Sequence, residues 1–431
     1  MDHLFRQQAG QMVAWLTRIF GPAHLELAEE VVQDALVKAL QQWPFSGVPD
    51  NPAGWLFKVA RNGALDALRR SAFLRERASD IARELQERDS AADPPAAGIT
   101  DDELRMVFLC CHPDLPPDAR VALSLKTVGG FSTAEIARAF LASESTIAQR
   151  IVRAKRTLRE QHIAFDLPGL AQLTARLDSV LEVIYLIFNE GYSAHGGEEL
   201  VRHDVCREAI RLGRSVAAST VGDPAADALV ALMAFQASRI PARINSAGEM
   251  VLLEDQDRSV WDQSLIRLGF THFTRSATGD RITAYHVQAA IAAIHAVAPR
   301  AEETDWPRML RLYDDLLQLN PSPVVALNRA VALARVEGPA AALAEVTRLE
   351  REPALAGYHL LPSVKGALLL ESGRPREAAK AFREALRHPC SEPEKQLLIA
   401  RLERCEEHLT PHAERDRFLG RARLGLRDEL D

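Results

Sequence analysis

The chain contains no apolar run of about 18 residues, the length a membrane-spanning helix needs. No charged-then-apolar leader opens it, so it is expected to be soluble and cytoplasmic. Its 5 cysteines include the neighbours Cys110 and Cys111 but no CxxC pair. That usage excludes an even disulfide framework and fits a reducing compartment. Phosphate loop, dinucleotide fingerprint and HExxH are missing as well. Gly191-Tyr-Ser-Ala-His195 has His195 where a nucleophile elbow needs its second Gly, and a helical pattern precedes it where a strand is required. Cys110, Cys111 and His112 are too crowded to ligate one tetrahedral ion, and read as core thiols beside a histidine. His203 and Cys206 could share an ion only with partners from elsewhere, and Leu253–Asp262 lacks EF-hand spacing and reads as a helix end or an interdomain contact. The expectation is a chain with no catalytic residue, no metal and no cofactor, hence not an enzyme.

Positive charge is scarce overall, since the net charge is −7, but it is unevenly placed. Trp55–Arg77 holds six bases (Lys58, Arg61, Arg69, Arg70, Arg75, Arg77) against Asp66 and Glu76. Glu144–Glu160 holds five (Arg150, Arg153, Lys155, Arg156, Arg159) against two acids. Two cationic patches on a nearly neutral N-terminal third suit contact with nucleic acid at two places, and the sum of charge does not exclude it.

The second patch lies in a helix-turn-helix pattern over Asp118–Glu160. Ile147, Ile151, Ala154 and Leu158 fall on one stripe of a helix, and Thr146, Gln149, Arg150, Arg153 and Arg156 on the other side. An apolar stripe faces a core; the opposite face offers hydrogen bonds and charge to base edges and phosphates. A shorter helix, Thr133–Phe140, turns Ile136, Ala137 and Phe140 inward, with Ser132 and Ser143 as caps of the two helices. Leu141 stands where the tight turn often has Gly, so a different turn shape is expected. The bland alternative is an ordinary amphipathic pair with solvated arginines.

Ahead of it, residues 4–20 and Leu25–Gln42 have helical spacing, the latter burying Leu27, Val31, Ala35, Leu36 and Leu40 beneath an acidic polar face. Trp43–Pro52, with three prolines and a glycine, is expected to be a loop with exposed aromatics. A third helix, Ala53–Arg70, carries Trp55, Lys58, Arg61, Asn62, Arg69 and Arg70; an aromatic-tipped loop beside a basic helix suits single-stranded nucleic acid. Trp55 serves equally well as core, Asn62 as helix surface, and Asp66 as a partner for Arg69 or Arg70.

Ala28-Glu-Glu-Val-Val-Gln-Asp-Ala-Leu36 and Trp55-Leu-Phe-Lys-Val-Ala-Arg-Asn62, with Leu65-Asp66 and Leu68-Arg-Arg70, resemble region two of bacterial extracytoplasmic-function (ECF) sigma factors. Ala134–Arg159 resembles their region four. The resemblance implies that Val32, Gln33, Asp34 and Leu36 dock on core RNA polymerase. It implies that Trp43–Pro52, Trp55, Lys58, Arg61, Asn62 and Asp66, with the basic Arg69 and Arg70, open and read the start-proximal promoter element. Thr146, Gln149, Arg150 and Arg153, with Arg156 on the same face, would read the upstream element in duplex DNA.

Beyond Arg159 the pattern stays helical. Gly366, Ala378, Phe382 and Ala385 match tetratricopeptide positions, and a shift of 36 gives the weaker set Ala330, Ala342, Val346 and Leu349. Tyr185–Tyr192, Leu253–Ser259 and Pro321–Ala330 also resemble the C-terminal extension of an ECF subgroup ending in such repeats. The expected fold is all-α: region two over 1–78, a flexible linker over 79–100, region four over 101–165, and a helical extension over 166–431 with repeats near 323–392. The expected function is that of a sigma factor whose acidic extension controls it, folding back on the sigma domains; the alternative is a free-standing helix-turn-helix regulator with a partner- or ligand-binding solenoid.

Overall fold

A computed structural model describes residues 2–70, 101–140, 142–161, 163, 165, 170–192, 202–219, 223–246 and 248–409. Its described residues are all-α: the sole β pairing among them is an isolated bridge between Ile244 and Met250. No helix among them is long and apolar enough to cross a membrane. The described residues form two compact units, one of those up to Ala226 and one of those from Asp227 on.

In the first unit α1 (Asp2–Phe20), α2 (Leu25–Ser46) and α3 (Pro52–Arg70) form a three-helix bundle. Met12, Leu16 and Ile19 of α1 meet Ala28, Val32, Ala35 and Ala39 of α2 and Leu56, Ala60 and Ala64 of α3 in its core. Small residues on two of three helices let the backbones approach closely. The helix-turn-helix follows in α4 (Asp101–Cys110), α5 (Pro117–Thr127), α6 (Thr133–Ala139) and α7 (Glu144–Glu160). Next α8 (Leu170–Tyr192) packs on α4 and α5, and α9 (His203–Ala218) packs along α8. The expected linker over 79–100 lies outside the described residues, as do Leu141 and the Ser193–His195 end of the elbow-like stretch.

Three ion pairs tie these parts together. Arg18 on α1 lies 3.1 Å from Asp102 on α4. Lys155 on α7 pairs with Glu29 on α2, with only 11% and 13% of the two side chains exposed. Glu103 on α4 has no side-chain exposure and lies 2.9 Å from Arg211 on α9, which Glu208 also holds at 2.8 Å. Cys110 and Cys111 are buried free thiols beside Thr127 and Ser124; burial pushes both thiols up, Cys111 to about 12, so they stay protonated core groups.

The second unit holds most of α10 (Pro224–Ser238), then α11 (Gln263–Ser276) and a run of antiparallel helices: α12 (Ala284–Val297), α13 (Trp306–Leu319), α14 (Pro323–Glu337), α15 (Pro339–Leu349), α16 (Leu360–Glu371), α17 (Pro375–Ala385) and α18 (Glu392–Leu409). Each helix from α12 on packs on the next, so the apolar core runs along the stack as a chain of clusters, as a solenoid requires. The repeat register holds: Ala330, Ala342, Val346, Ala378, Phe382 and Ala385 are all wholly buried. A Cβ on Gly366 would sit 2.7 Å from the Phe382 ring, so the glycine is what lets α16 and α17 close on that ring. Gly269 of α11 admits the Phe235 ring of α10 in the same way. The acidic run Leu253–Asp262 is a loop with a 3-10 turn at Arg258–Val260, and Asp262 caps α11 by accepting from the Ser264 and Leu265 N–H groups.

Removing one member of a buried ion pair leaves an uncompensated charge and costs about 3–5 kcal/mol, while replacing both with apolar groups is often near neutral. Arg211→Met is therefore expected to destabilise the first unit by about that amount. Glu103→Leu and Glu208→Gln added to Arg211→Met, which remove both carboxylates that Arg211 neutralises, should restore most of the loss, measured as the urea midpoint of the intact chain.

Candidate nucleic-acid interface

Two serines start the helices that build the helix-turn-helix. Ser132 accepts from the Glu135 N–H at 3.1 Å while the Glu135 carboxylate accepts from the Ser132 N–H at 2.8 Å, a reciprocal cap on α6. Ser143 accepts from the Thr146 N–H at 3.1 Å and starts α7. Ile147, Ile151, Ala154 and Leu158 of α7 are buried against α5 and α6, as the stripe predicts. Gln149, Arg153 and Arg156 are exposed, and Thr146 and Arg150 half-exposed, on the remaining surface.

These side chains differ in how ready they are to engage a ligand. Arg153 has no ion-pair partner among the described residues, and Arg156 is only 3.8 Å from the exposed Glu160. Arg150, by contrast, pairs through Nε with the Asp118 carboxylate of α5 at 2.9 Å, a partly exposed pair that water and salt weaken. Lys155 is withdrawn from this surface altogether by Glu29. Counting it with the other bases of α7 is thus corrected, because its partner is distant in sequence and no local pattern reveals it.

On the bundle, the structure moves several expected positions. Helix α2 runs through Ser46 with Pro44 inside it, so the first four residues of the expected Trp43–Pro52 loop are helical. The backbone bond that Pro44 cannot make is lost near the helix end, where Gly47, at φ 81°, closes the turn by donating to the Trp43 carbonyl. Trp43 is buried and meets Trp55 edge-on at 5.5 Å, leaving Phe45, 92% exposed, as the bare aromatic there. Leu40, expected inside, is 60% exposed, because α2 turns its Val31, Ala35 and Ala39 side to α1 and α3. Val32, expected on the polymerase-docking surface, is 2% exposed and belongs to the core, whereas Gln33 and Asp34 are exposed and Leu36 half-buried.

Helix α3 presents Lys58, Asn62, Asp66 and Arg69 to solvent, with Trp55 and Arg61 half-buried. Asp66 and Arg69 pair at 3.2 Å across one helical turn, the bland role open to Asp66 from the sequence. The side chain of Arg70 lies outside the described residues. The molecule thus has two polar, largely cationic surfaces, one on α3 and one on α7.

A Sigma-70 region 2 family model matches residues 4–73 and a Sigma-70, region 4 model matches residues 105–158. A family of unknown function, DUF6596, matches residues 176–277. An uncharacterized protein of Rhizobium meliloti is 43% identical over 381 residues, 87% of this chain and 89% of that protein. The probable ECF RNA polymerase sigma factor SigI of Mycobacterium tuberculosis is 30% identical over 171 residues, 37% of this chain and 58% of that protein. The ECF RNA polymerase sigma factor SigL of Mycobacterium tuberculosis is 31% identical over 160 residues, 37% of this chain and 86% of that protein. No solved structure matches the chain. With both sigma regions in order on the two surfaces, and a relative matched over most of its length, the chain belongs to the ECF family of RNA polymerase sigma factors.

Proposed function

We propose that this RNA polymerase sigma factor reads its promoter at two places and that its helical extension regulates access to them. The observation that carries the reading is the division of α7 into a buried apolar stripe and an exposed face of Gln149, Arg153 and Arg156 flanked by Thr146 and Arg150. That face suits the major groove, where Arg and Gln form paired hydrogen bonds to base edges. Lys58, Asn62 and the exposed Phe45 suit the melted strand, with a π-face for stacking and a cation for phosphate. Trp55, Arg61, Asp66, Arg69 and Arg70 support or flank that surface. Gln33, Asp34 and Leu36 meet the core polymerase, with Val32 holding their helix from beneath.

The domains follow: region two over 1–78, a linker over 79–100, region four over 101–165 and the regulatory extension over 166–431. The protein works in the cytoplasm and makes no bonds itself; polymerase supplies the chemistry. Support for regulation comes from α8 and α9, which lie on region four: Arg120 donates to Ser179 at 2.7 Å, Arg176 to the Phe108 carbonyl at 2.8 Å, and Arg211 pairs with Glu103.

Two measurements test this. With core polymerase on promoter fragments, Arg153→Ala should weaken upstream-element binding by about 1–3 kcal/mol and relax the sequence preference there. Asp118→Asn, which frees Arg150, should strengthen it; unchanged binding in both variants would rule out the assigned face. Asn62→Ala should leave co-purification with core polymerase intact while lowering the permanganate reactivity of thymines near the start site. Undiminished reactivity would remove Asn62 from promoter opening.

A further inference from the structure

A cavity of about 720 Å³ lies within the second unit, between the helix stack and the loop that precedes α11. Its size is that of a small-molecule site, typically roughly 300–1,000 Å³. One wall is the Met250–Asp255 segment, held by the Val251 N–H donating to the Arg243 carbonyl and by Leu253 packing against the Trp261 cluster. The facing wall comes from α14, α16 and α18, with Val364, Leu368 and Leu398 as its apolar part.

Charge decides what would fit. Arg335 occupies both Glu254 and Glu371, and the further acids of the lining, Asp255 and Glu302, are exposed to solvent. Glu394 accepts from the Ser391 N–H and hydroxyl at 2.8 and 2.7 Å and lies 3.4 Å from His359; burial pushes its pKa up, but these neighbours pull it down to about 2, so it is ionised and engaged. Arg258 is spent on the carbonyls of His295 and Ala298. Arg401 differs from these. Its guanidinium rests over the Phe382 ring, 5.9 Å from the centroid, and has no hydrogen-bond or ion-pair partner among the described residues.

Other enclosed arginines of the chain show what is missing. Arg211 has two carboxylates, and Arg329 has Asp314 and Glu345 at 2.6 and 2.7 Å. Burial lowers the pKa of Arg401, although Glu254, Asp255 and Glu371 act on it through space and oppose the shift; none of the three touches it. A cation fixed by a ring, half-buried and open to an apolar cavity, is a receptor for an anion carried on an apolar body.

We propose that this cavity binds a small amphiphilic carboxylate, its carboxylate on Arg401 and its apolar part against Leu253, Val364, Leu368 and Leu398. The claim concerns binding alone and goes beyond the reading of the chain as a promoter-specificity factor. Failure of promoter binding therefore leaves it untouched, and the reverse.

The test is calorimetric titration of the full chain with three ten-carbon probes: decanoate, decanol and decyltrimethylammonium. Decanoate should bind one per chain, decanol more weakly, and the cation not at all. Arg401→Gln should weaken decanoate by about 10- to 100-fold, the loss of a charge-assisted pair, and Arg401→Lys should retain most of the affinity. If Arg401→Gln proves unfolded by circular dichroism, Ala367→Trp, which fills the cavity from α16, serves instead and should abolish decanoate binding. Absence of decanoate binding, equal binding of the cationic probe, or full affinity in a folded Arg401→Gln or Ala367→Trp chain would overturn the proposal.

Discussion

The ion pair between Lys155 and Glu29 constrains the whole first unit, because it spans the two parts that carry the polar surfaces. Both side chains are almost wholly out of water. A pair in that setting gives little net stability over an apolar replacement, yet losing either member costs about 3–5 kcal/mol. Its effect is therefore selection: arrangements that keep either residue buried without the other strand a charge. Helix α7 accordingly has three duties on one cylinder. The stripe of Ile147, Ile151, Ala154 and Leu158 holds its own domain, Lys155 holds the bundle, and Gln149, Arg153 and Arg156 remain outside.

The second unit applies a different rule. Its helices close on one another because small residues admit rings, Gly269 to Phe235 and Gly366 to Phe382. The buried positions are chiefly alanine and leucine, and Arg329 is neutralised in place by carboxylates. Arg401 is held differently: the Phe382 ring beneath it orients the guanidinium, and the carboxylates of Glu254, Asp255 and Glu371 act on it without contact.

Much of this was legible in the sequence where the information is local. The α7 stripe, the Ser132 and Ser143 caps and the 36-residue register of the solenoid all depend on neighbours within a few turns or one repeat, and periodicity reports those. What escaped depends on distant partners. Glu29 and Lys155 are 126 residues apart, and Glu103 meets Arg211 across a comparable span, so neither pairing leaves a sequence signal. Trp43 and Leu40 lie elsewhere than the sequence pattern implies for a related reason. Pro44 signals a break, but the burial of Trp43 against Trp55 carries α2 one turn further, and the side chosen for the core follows α1 and α3. Val32 shows the limit of reasoning by likeness: it lies in a segment that the resemblance assigns to polymerase docking, yet its side chain is in the core of the bundle.

The most direct check on the central constraint is the separation of α2 and α7 in the free chain. Spin labels at Gln33→Cys and Arg156→Cys, both exposed sites, would be read by double electron–electron resonance in a Cys390→Ser background, since the remaining cysteines are buried. One narrow, short distance distribution is expected with Lys155 present, and a broader distribution shifted to longer distances in Lys155→Met. Superimposable distributions for the two chains would contradict that constraint.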